Sequence, residues 1–267
     1  MSKKKTIIKW AALVVGGLII TLVSFGYWFL SLLPAPVVSK EVLRQTQPEN
    51  LPYLVEGKAP NRGKILAVVT STAVMGNSEK PTGYELTELA RAYYVFQANG
   101  FEVEIASPLG GTPPVVIDAD DMREYDYAFL NDEVAQNKVT NSLAMQDVKP
   151  DDYQAVFFVG GKGAMFDFPK NTHIQSLVLG YYESGKVIGA VCHGPAAFVN
   201  VTLGNGEPLI ANKTISSFTN EEELLLIPDA RDIFPFLLQD KLMEKGANFN
   251  EGSMYLNQVS SNGNLIT

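Results

Sequence analysis

Three short, almost purely apolar runs constrain most strongly what this chain can fold into. They cover Ile65–Thr70, Ala155–Val159 and Val187–Val191, and the last of them leads directly into the only cysteine. A strand that is apolar along its whole length is buried on both faces, as happens in a parallel sheet covered by helices. These runs therefore predict three central strands of such a sheet.

Helical and turn patterns alternate with these runs. The sequence predicts a helix over 85–98 that ends at Asn99-Gly100, a strand over Glu102–Ala106, helices over 172–184 and Phe234–Lys245, and a hairpin turn at Asn262-Gly263. Such alternation predicts an α/β fold with a mostly parallel sheet and helices on both faces. In sheets of this kind, functional sites form beyond the carboxyl ends of the strands.

The N-terminus has a different character. Residues 1–9 carry four lysines and no acid, and the 24 residues from Trp10 to Leu33 carry no charge. Because about 20 apolar residues span a bilayer as a helix, this run predicts one transmembrane anchor, with residues 1–9 as a cytoplasmic basic tip and the rest on the extracytoplasmic side. A cleaved signal peptide is the alternative, although its apolar region usually has only about 7–15 residues.

Residues 34–63 contain five prolines and show little periodicity. Proline at this density favours an extended spacer, so the segment is predicted to be a linker. The remaining residues, 64–267, are then one catalytic domain of ordinary size.

Composition excludes several kinds of partner. The net charge is −8, and there is no basic cluster outside the N-terminal tip, which argues against nucleic-acid binding. One cysteine cannot form an internal disulfide. Because the chain has only one cysteine and two histidines, a zinc site of the Cys/His type is also nearly excluded.

The strongest chemical signal is Cys192-His193-Gly194-Pro195, which follows the third apolar run. A cysteine on a strand-to-helix turn projects its sulfur over the sheet edge, and the N-terminus of the following helix would favour the thiolate. Since the only cysteine adjoins one of only two histidines, the pair favours a catalytic cysteine. A buried structural cysteine remains the alternative.

A second strand end carries the glycine-rich turn from Gly160 to Gly163. It matches neither a P-loop nor a dinucleotide-binding fingerprint, but its N–H groups could line an oxyanion hole. A tight turn without chemistry is the alternative. The acids Glu88, Glu222 and Glu223 lie in the first turns of predicted helices, where capping alone would explain them.

Four segments together resemble the ThiJ/PfpI superfamily, and above all its glyoxalase III-like, chaperone-related branch, often labelled type 1 glutamine amidotransferase-like. In order, they are TGYELTELARAYYVFQANGFEVEIASPLGG, VFFVGGKGAMFDFP, VIGAVCHGPAAFVN and SFTNEEE. The resemblance covers about Lys64 to Thr267. It implies a flavodoxin-like three-layer sandwich with a nucleophile elbow.

The resemblance also implies roles for individual residues. Cys192 would be the nucleophile, His193 the general base, Glu88 the acid that hydrogen-bonds the cysteine, and Glu223 the third triad member, with Glu222 as the fallback. Gly161, Lys162 and Gly163 would form the substrate and oxyanion turn. The family usually has histidine at the position of Lys162, and relatives tend to continue beyond Thr267 into a last helix.

The implied function is a membrane-anchored, cofactor-independent glyoxalase III-like lyase. It would convert a small reactive 2-oxoaldehyde such as methylglyoxal to a 2-hydroxy acid such as D-lactate, without metal, and the family commonly dimerises. Two alternatives remain on the same residues. One is an amidase or peptidase-like hydrolase, and the other is a non-enzymatic stress chaperone or redox sensor that uses Cys192.

Overall fold

The computed structural model describes residues 3–31, 39–57 and 59–267. Within them the chain divides into two compact units, one ending at Val42 and the other running from Leu43 to Thr267. The second unit contains every strand of the described residues. The strands are β1 Lys64–Val68, β2 Tyr84–Glu85, β3 Glu102–Ser107, β4 Val115–Val116, β5 Leu143–Ala144, β6 Ala155–Phe158, β7 Val187–Ala190, β8 Thr214–Ile215, β9 Asn248–Phe249, β10 Ser261–Asn262 and β11 Leu265–Ile266.

Seven of these strands form one sheet in the order β10-β11-β7-β6-β1-β3-β5. All neighbours in it run parallel except the hairpin β10–β11. The register pairs Phe158 at the end of β6 with Ala190 at the end of β7. The loops that follow these two strands therefore start side by side. The mostly parallel α/β sheet predicted from the sequence is confirmed.

Helices of the second unit cover both faces of this sheet. The α-helices of the described residues are α1 Lys3–Ser31, α2 Lys40–Leu43, α3 Pro52–Val55, α4 Leu86–Ala98, α5 Glu124–Asn131, α6 Glu133–Thr140, α7 Ala164–Asp167, α8 Thr172–Ser184, α9 Asn220–Leu226, α10 Ala230–Ile233 and α11 Leu238–Glu244. Short 3₁₀ helices span Pro48–Asn50, Met145–Asp147, Pro150–Asp152 and Gly194–Phe198.

Alternation along β1 shows how the layers pack. Leu66 and Val68 lie in one apolar cluster with residues of α8, such as Leu177, whereas Ala67 lies in a second cluster with residues of α4, such as Leu89. Successive side chains of a strand point to opposite faces, so an apolar run fills both clusters. The unit is thus a three-layer sandwich, and the apolar runs are its middle layer.

The N-terminal prediction needs correction. Among the residues that the structure describes, no helix is both long enough and apolar enough to cross a membrane. The predicted span and the extracytoplasmic location that depended on it are therefore wrong. Residues 32 and 33 of the predicted span, and 34–38 of the predicted linker, lie outside the described residues.

Part of the predicted linker is folded. Leu51 is buried in the same cluster as α4, and Leu43 and Leu54 pack against that cluster. The side chain of Asn131 on α5 donates to the carbonyls of Arg44, at 2.9 Å, and Thr46, at 2.8 Å. The leucines between the prolines thus have an apolar surface to cover, which proline density alone does not reveal.

Close approach of the elbow to β6 generates a stability prediction. A Cβ on Gly194 would lie 2.3 Å from the carbonyl oxygen of Phe158, a contact with rigid backbone. We expect Gly194→Ala to destabilise the fold by about 1–3 kcal/mol, measured by urea denaturation. The matched control is Gly180→Ala on α8, where an added Cβ meets nothing within 4 Å. That change should stabilise by about 0.5–1 kcal/mol, and equal effects of the two changes would contradict the packing described here.

Candidate active site

Cys192 lies on a strained turn directly after β7. Its φ of 55° is in the left-handed region, which non-glycine residues seldom adopt. Its carbonyl accepts from the N–H of Phe218 at 3.0 Å, and the N–H of Gly194 closes the turn onto Val191 at 2.6 Å. Strain of this kind costs about 1–3 kcal/mol and persists only where the surroundings fix it. Here it aims the sulfur over the carboxyl end of the sheet.

The turn after the neighbouring strand β6 meets this elbow. A Cβ on Gly160 would lie 2.5 Å from Oε2 of Glu88 and 2.6 Å from Cβ of Cys192, so only glycine fits between them. The N–H of Gly160 donates to Oε2 of Glu88 at 2.7 Å, and the N–H of Gly161 donates to the sulfur. The two strand ends therefore place a carboxyl and a backbone donor against the thiol.

His193 links the sulfur to a buried acid. Its Nδ1 lies 3.2 Å from Sγ of Cys192, and its Nε2 hydrogen-bonds Oε2 of Glu223. His193 is 1% exposed and Glu223 is 4% exposed. Because a carboxylate only accepts, the ring proton belongs on Nε2, which leaves the lone pair of Nδ1 facing the thiol. Cysteine, histidine and glutamate thus form a continuous chain.

Helix α9 supplies this glutamate. Thr219 caps the helix through Oγ1, which accepts from the N–H of Glu222 at 3.1 Å, and so fixes the first turn that carries Glu223. The second oxygen of Glu223 is buried without a hydrogen-bond partner among the described residues. The packing of Phe218 on the imidazole, with ring centroids 4.8 Å apart, covers the other side of His193.

Glu88 is the acid beside the sulfur. Burial, reinforced by the charge of Glu85, raises the pKa of Glu88 to about 7, although hydrogen bonds with Cys192 and Gly160 and the charge of Lys162 oppose the rise. A carboxyl with this pKa is protonated in a large fraction of molecules near neutral pH. It can then donate to the sulfur.

The thiol itself differs from the sequence-based expectation. Burial and the charge of Glu88 raise the pKa of Cys192 above its usual range, and the N–H of Gly161 only partly opposes them. The helix expected to favour the thiolate is a 3₁₀ helix of five residues, Gly194–Phe198. An ionised Glu88 therefore disfavours the thiolate, whereas a protonated Glu88 removes that charge and adds a donor. The two groups compete for one proton.

The remaining predicted site residues have different surroundings. Lys162 has its Nζ 5.9 Å from the centroid of the Phe218 ring. Burial raises the pKa of Glu85 and of Glu88, and the charge of Lys162 partly opposes both rises. Gly163 packs against Thr70, since a Cβ at Gly163 would meet the side chain of Thr70 at 2.6 Å. Glu222, the fallback acid, makes no hydrogen bond to His193 among the described residues. Its oxygens accept from the N–H and hydroxyl of Thr219 in its own helix cap and from the N–H of Tyr255 in a neighbouring loop.

Two features escaped sequence reasoning. Glu85 lies three residues before Glu88, the spacing that brings two side chains together at the start of a helix, and its own pKa is raised by burial. The loop 250–258 carries no pattern that predicts a place near Cys192. It nevertheless lines, with Cys192, Glu88 and Phe218, a cleft of about 530 Å³.

Arg91 and Asp121, two charged residues that line the cleft, form an ion pair. Arg91 on α4 donates to Asp126 at 3.1 Å and pairs with Asp121 at 2.9 Å. Within the described residues, no three His, Cys, Asp or Glu side chains are grouped so as to hold a metal ion. The chemistry that this arrangement supports is addition of a thiol to an electrophile with proton transfer by neighbouring groups.

The raised pKa of Glu88 gives a sign for pH dependence. The pKa of Glu88 in the folded state, about 7, lies above its usual 4.5. The contribution of Glu88 to the free energy of unfolding is therefore fully present below about pH 4.5 and is lost as the pH rises through 7. Glu88→Gln does not titrate. We therefore expect the stability of the variant relative to wild type to rise by up to about 3 kcal/mol between pH 5 and pH 8, measured from urea denaturation at both values.

The matched control for this titration is Glu221→Gln, which removes an exposed carboxylate. Its stability relative to wild type should change little with pH. Parallel pH profiles for wild type and Glu88→Gln would contradict the assignment of a raised pKa to Glu88.

Known proteins are similar to this chain over much of its length. Residues 80–223 match the model of the DJ-1/PfpI family. Glyoxalase 3 of Candida albicans is 29% identical over 76% of this chain and 89% of its own length, and the crystal structure of glyoxalase III from that organism superposes with a TM-score of 0.68 over the same shares, at 28% identity.

Two further proteins are similar over much of the chain. The glutathione-independent glyoxalase HSP31 of Saccharomyces cerevisiae is 33% identical over 62% of this chain and 72% of its own length. The crystal structure of the Rapid Encystment Protein 24 KDa of Francisella tularensis superposes with a TM-score of 0.71 at 39% identity, covering 76% of this chain and 90% of that one. The family match spans more than half of the chain and includes the elbow and Glu223. This chain belongs to the DJ-1/PfpI family.

Proposed function

We propose that this protein is a cysteine-dependent, cofactor-independent enzyme of the glyoxalase III type, which converts 2-oxoaldehydes such as methylglyoxal to 2-hydroxy acids such as D-lactate. The observation that carries the proposal is the position of the Cys192 sulfur between Nδ1 of His193, at 3.2 Å, and the carboxyl of Glu88. The names of the glyoxalases from Candida albicans and Saccharomyces cerevisiae support the same reaction class.

The first step forms a carbon–sulfur bond. Nδ1 of His193 takes the thiol proton, and the sulfur of Cys192 adds to the aldehyde carbon. Glu223 holds the Nε2–H tautomer and stabilises the imidazolium that forms. The aldehyde oxygen gains negative charge and is then protonated, which gives a hemithioacetal. The N–H of Gly161, which donates to the sulfur, would serve as a donor to that oxygen.

The second step moves hydrogen between two carbons without an outside oxidant. A base removes the proton from the former aldehyde carbon, and a proton is returned to the neighbouring ketone carbon. The first carbon is thereby oxidised to a thioester and the second is reduced to an alcohol. His193 and Glu88 flank the sulfur and serve as the two proton carriers, and the pKa of Glu88 near 7 suits a group that both gives and takes a proton at neutral pH.

The third step restores the enzyme. Water adds to the thioester carbon, the carbon–sulfur bond breaks, and the 2-hydroxy acid leaves while the sulfur of Cys192 regains a proton. Lys162 adds a cation near the acids of the site, and its ammonium would attract a carbonyl oxygen or the carboxylate product.

Removal of the nucleophile is the first test. We expect the full chain to form D-lactate from methylglyoxal, and Cys192→Ala to lose at least about 1,000-fold in kcat/KM, followed by enzymatic assay of D-lactate. Glu221→Gln, with an exposed carboxylate on α9, is the matched control and should keep wild-type activity. A rate in Cys192→Ala equal to wild type would refute the proposal. Amide hydrolysis without lactate formation would instead favour a hydrolase.

The acid of the triad gives a second test. A glutamine at position 223 can offer its amide N–H to Nε2 and so favour the wrong histidine tautomer. We expect Glu223→Gln to lower kcat by about 100- to 10,000-fold while the far-ultraviolet circular dichroism spectrum stays unchanged. The same substitution at the neighbouring Glu221 is again the control. Unchanged kcat in Glu223→Gln would remove Glu223 from the mechanism.

A further inference from the structure

Glu222 is a buried carboxylate that the reaction does not use. It is 8% exposed, and both of its oxygens have partners. Oε2 accepts from the N–H and from Oγ1 of Thr219, each at 2.9 Å. Oε1 accepts from the N–H of Tyr255 at 2.7 Å. One side chain thus ties the cap of helix α9 to the loop 250–258, which is 33 residues further along the chain.

The anchored residue of that loop has a strained backbone. Tyr255 has a φ of 56°, in the region that favours glycine. Such a conformation costs about 1–3 kcal/mol and persists only where other contacts fix it. The hydrogen bond to Glu222 is the contact that the described structure provides at this amide, and a bond to a charged acceptor is among the stronger ones.

The loop presents apolar side chains to the same cleft as the thiol. Tyr255 and Leu256 line the cleft together with Cys192, and they are 55% and 70% exposed. More than half of the surface of each side chain is therefore accessible to a ligand. Large apolar groups that stay this exposed beside a reactive centre are a feature of binding sites.

The volume of the cleft also favours a substrate larger than a three-carbon aldehyde. Its volume is about 530 Å³. Clefts of about 300–1,000 Å³ hold ligands of drug size, whereas a three-carbon aldehyde fills only a small part of that space. The thiol end of the cleft suits a reacting carbonyl pair, and the loop end suits a larger substituent attached to it.

We propose that Glu222 is a positioning residue that fixes the loop 250–258 as a wall of the substrate cleft, and that Tyr255 and Leu256 on this wall select 2-oxoaldehydes whose substituent is larger than methyl and apolar. The proposal rests on the proposed glyoxalase function. Glu222 directly precedes Glu223, so the same turn of α9 holds the triad acid and the wall. The distance from the wall to the sulfur is thereby fixed.

The side chain of the wall is tested first. Tyr255→Gly removes the aromatic ring but keeps the N–H that binds Glu222, and glycine adopts a positive φ without strain. We expect KM for phenylglyoxal to rise about 10-fold, with KM for methylglyoxal changed less than about twofold and kcat retained for both. A loss of kcat alone would show that the loop serves the triad and not substrate selection.

The anchor is tested by Glu222→Gln, which keeps the size of the side chain. An amide accepts at only one end, so it can serve Thr219 or Tyr255 but not both. We expect the preference for phenylglyoxal over methylglyoxal, taken as the ratio of kcat/KM values, to fall about 5- to 10-fold, as in Tyr255→Gly. Glu221→Gln removes the adjacent exposed charge and should keep the wild-type ratio.

The outcomes separate this inference from the function it rests on. Wild-type turnover of methylglyoxal with unchanged substrate ratios in both Tyr255→Gly and Glu222→Gln would overturn the wall and leave the glyoxalase function standing. A wild-type chain that converts neither aldehyde would overturn the proposed function, and the inference about the loop 250–258, which rests on that function, would be overturned as well. If Glu222→Gln does not fold, Tyr255→Gly still decides whether the loop selects the substrate, because it keeps every hydrogen bond of the anchor.

Discussion

The strained backbone of Cys192 is the constraint on which the rest of the site depends. A left-handed φ at the end of β7 directs the sulfur across the neighbouring strand end, and this is possible only because Gly160 offers no side chain there. The same turn places His193 beside the sulfur through adjacency in the chain. The N–H of Phe218 holds the carbonyl of Cys192 and draws in the segment that leads to helix α9 and Glu223. The left-handed backbone of Cys192 therefore brings together residues from three parts of the sequence: the turn at Gly160, the turn at Cys192 and His193, and helix α9 with Glu223.

Proton sharing follows from that geometry. Burial raises the pKa of both Glu88 and Cys192, so neither group ionises easily while the other is charged. Their hydrogen bond lets one proton serve both, and His193 supplies the second route by which the thiol can lose its proton. A carboxyl with a pKa of about 7 can both give and take a proton near neutral pH, which suits a reaction that moves hydrogen between adjacent carbons without a cofactor. The charge of Glu85 raises the pKa of Glu88 and the charge of Lys162 lowers it, so these two groups set how readily Glu88 gives up its proton.

Local patterns predicted the framework well, and long-range contacts explain what they missed. Helix α8 runs over Thr172–Ser184, the range predicted, because its cap Asn171 and its end at Gly185 are both local signals. The helix predicted over Phe234–Lys245 begins only at Leu238, since Pro235 disfavours helical backbone in the residue before it. Cys192 and His193 could be proposed as site residues because they are adjacent in the sequence. The anchoring of Tyr255 by Glu222 could not be foreseen, because it joins distant residues through a backbone amide that no side-chain pattern marks.

The most direct test of the central claim is to locate the covalent intermediate. Acid quenching during turnover of methylglyoxal, followed by peptide mapping by mass spectrometry, should find a hydroxylamine-sensitive thioester on Cys192 whose added mass is that of one substrate molecule. The adduct should be absent from Cys192→Ala and from wild type quenched before substrate is added. Steady formation of D-lactate with Cys192 unmodified at every time point, and adducts only on arginine and lysine side chains, would contradict the account.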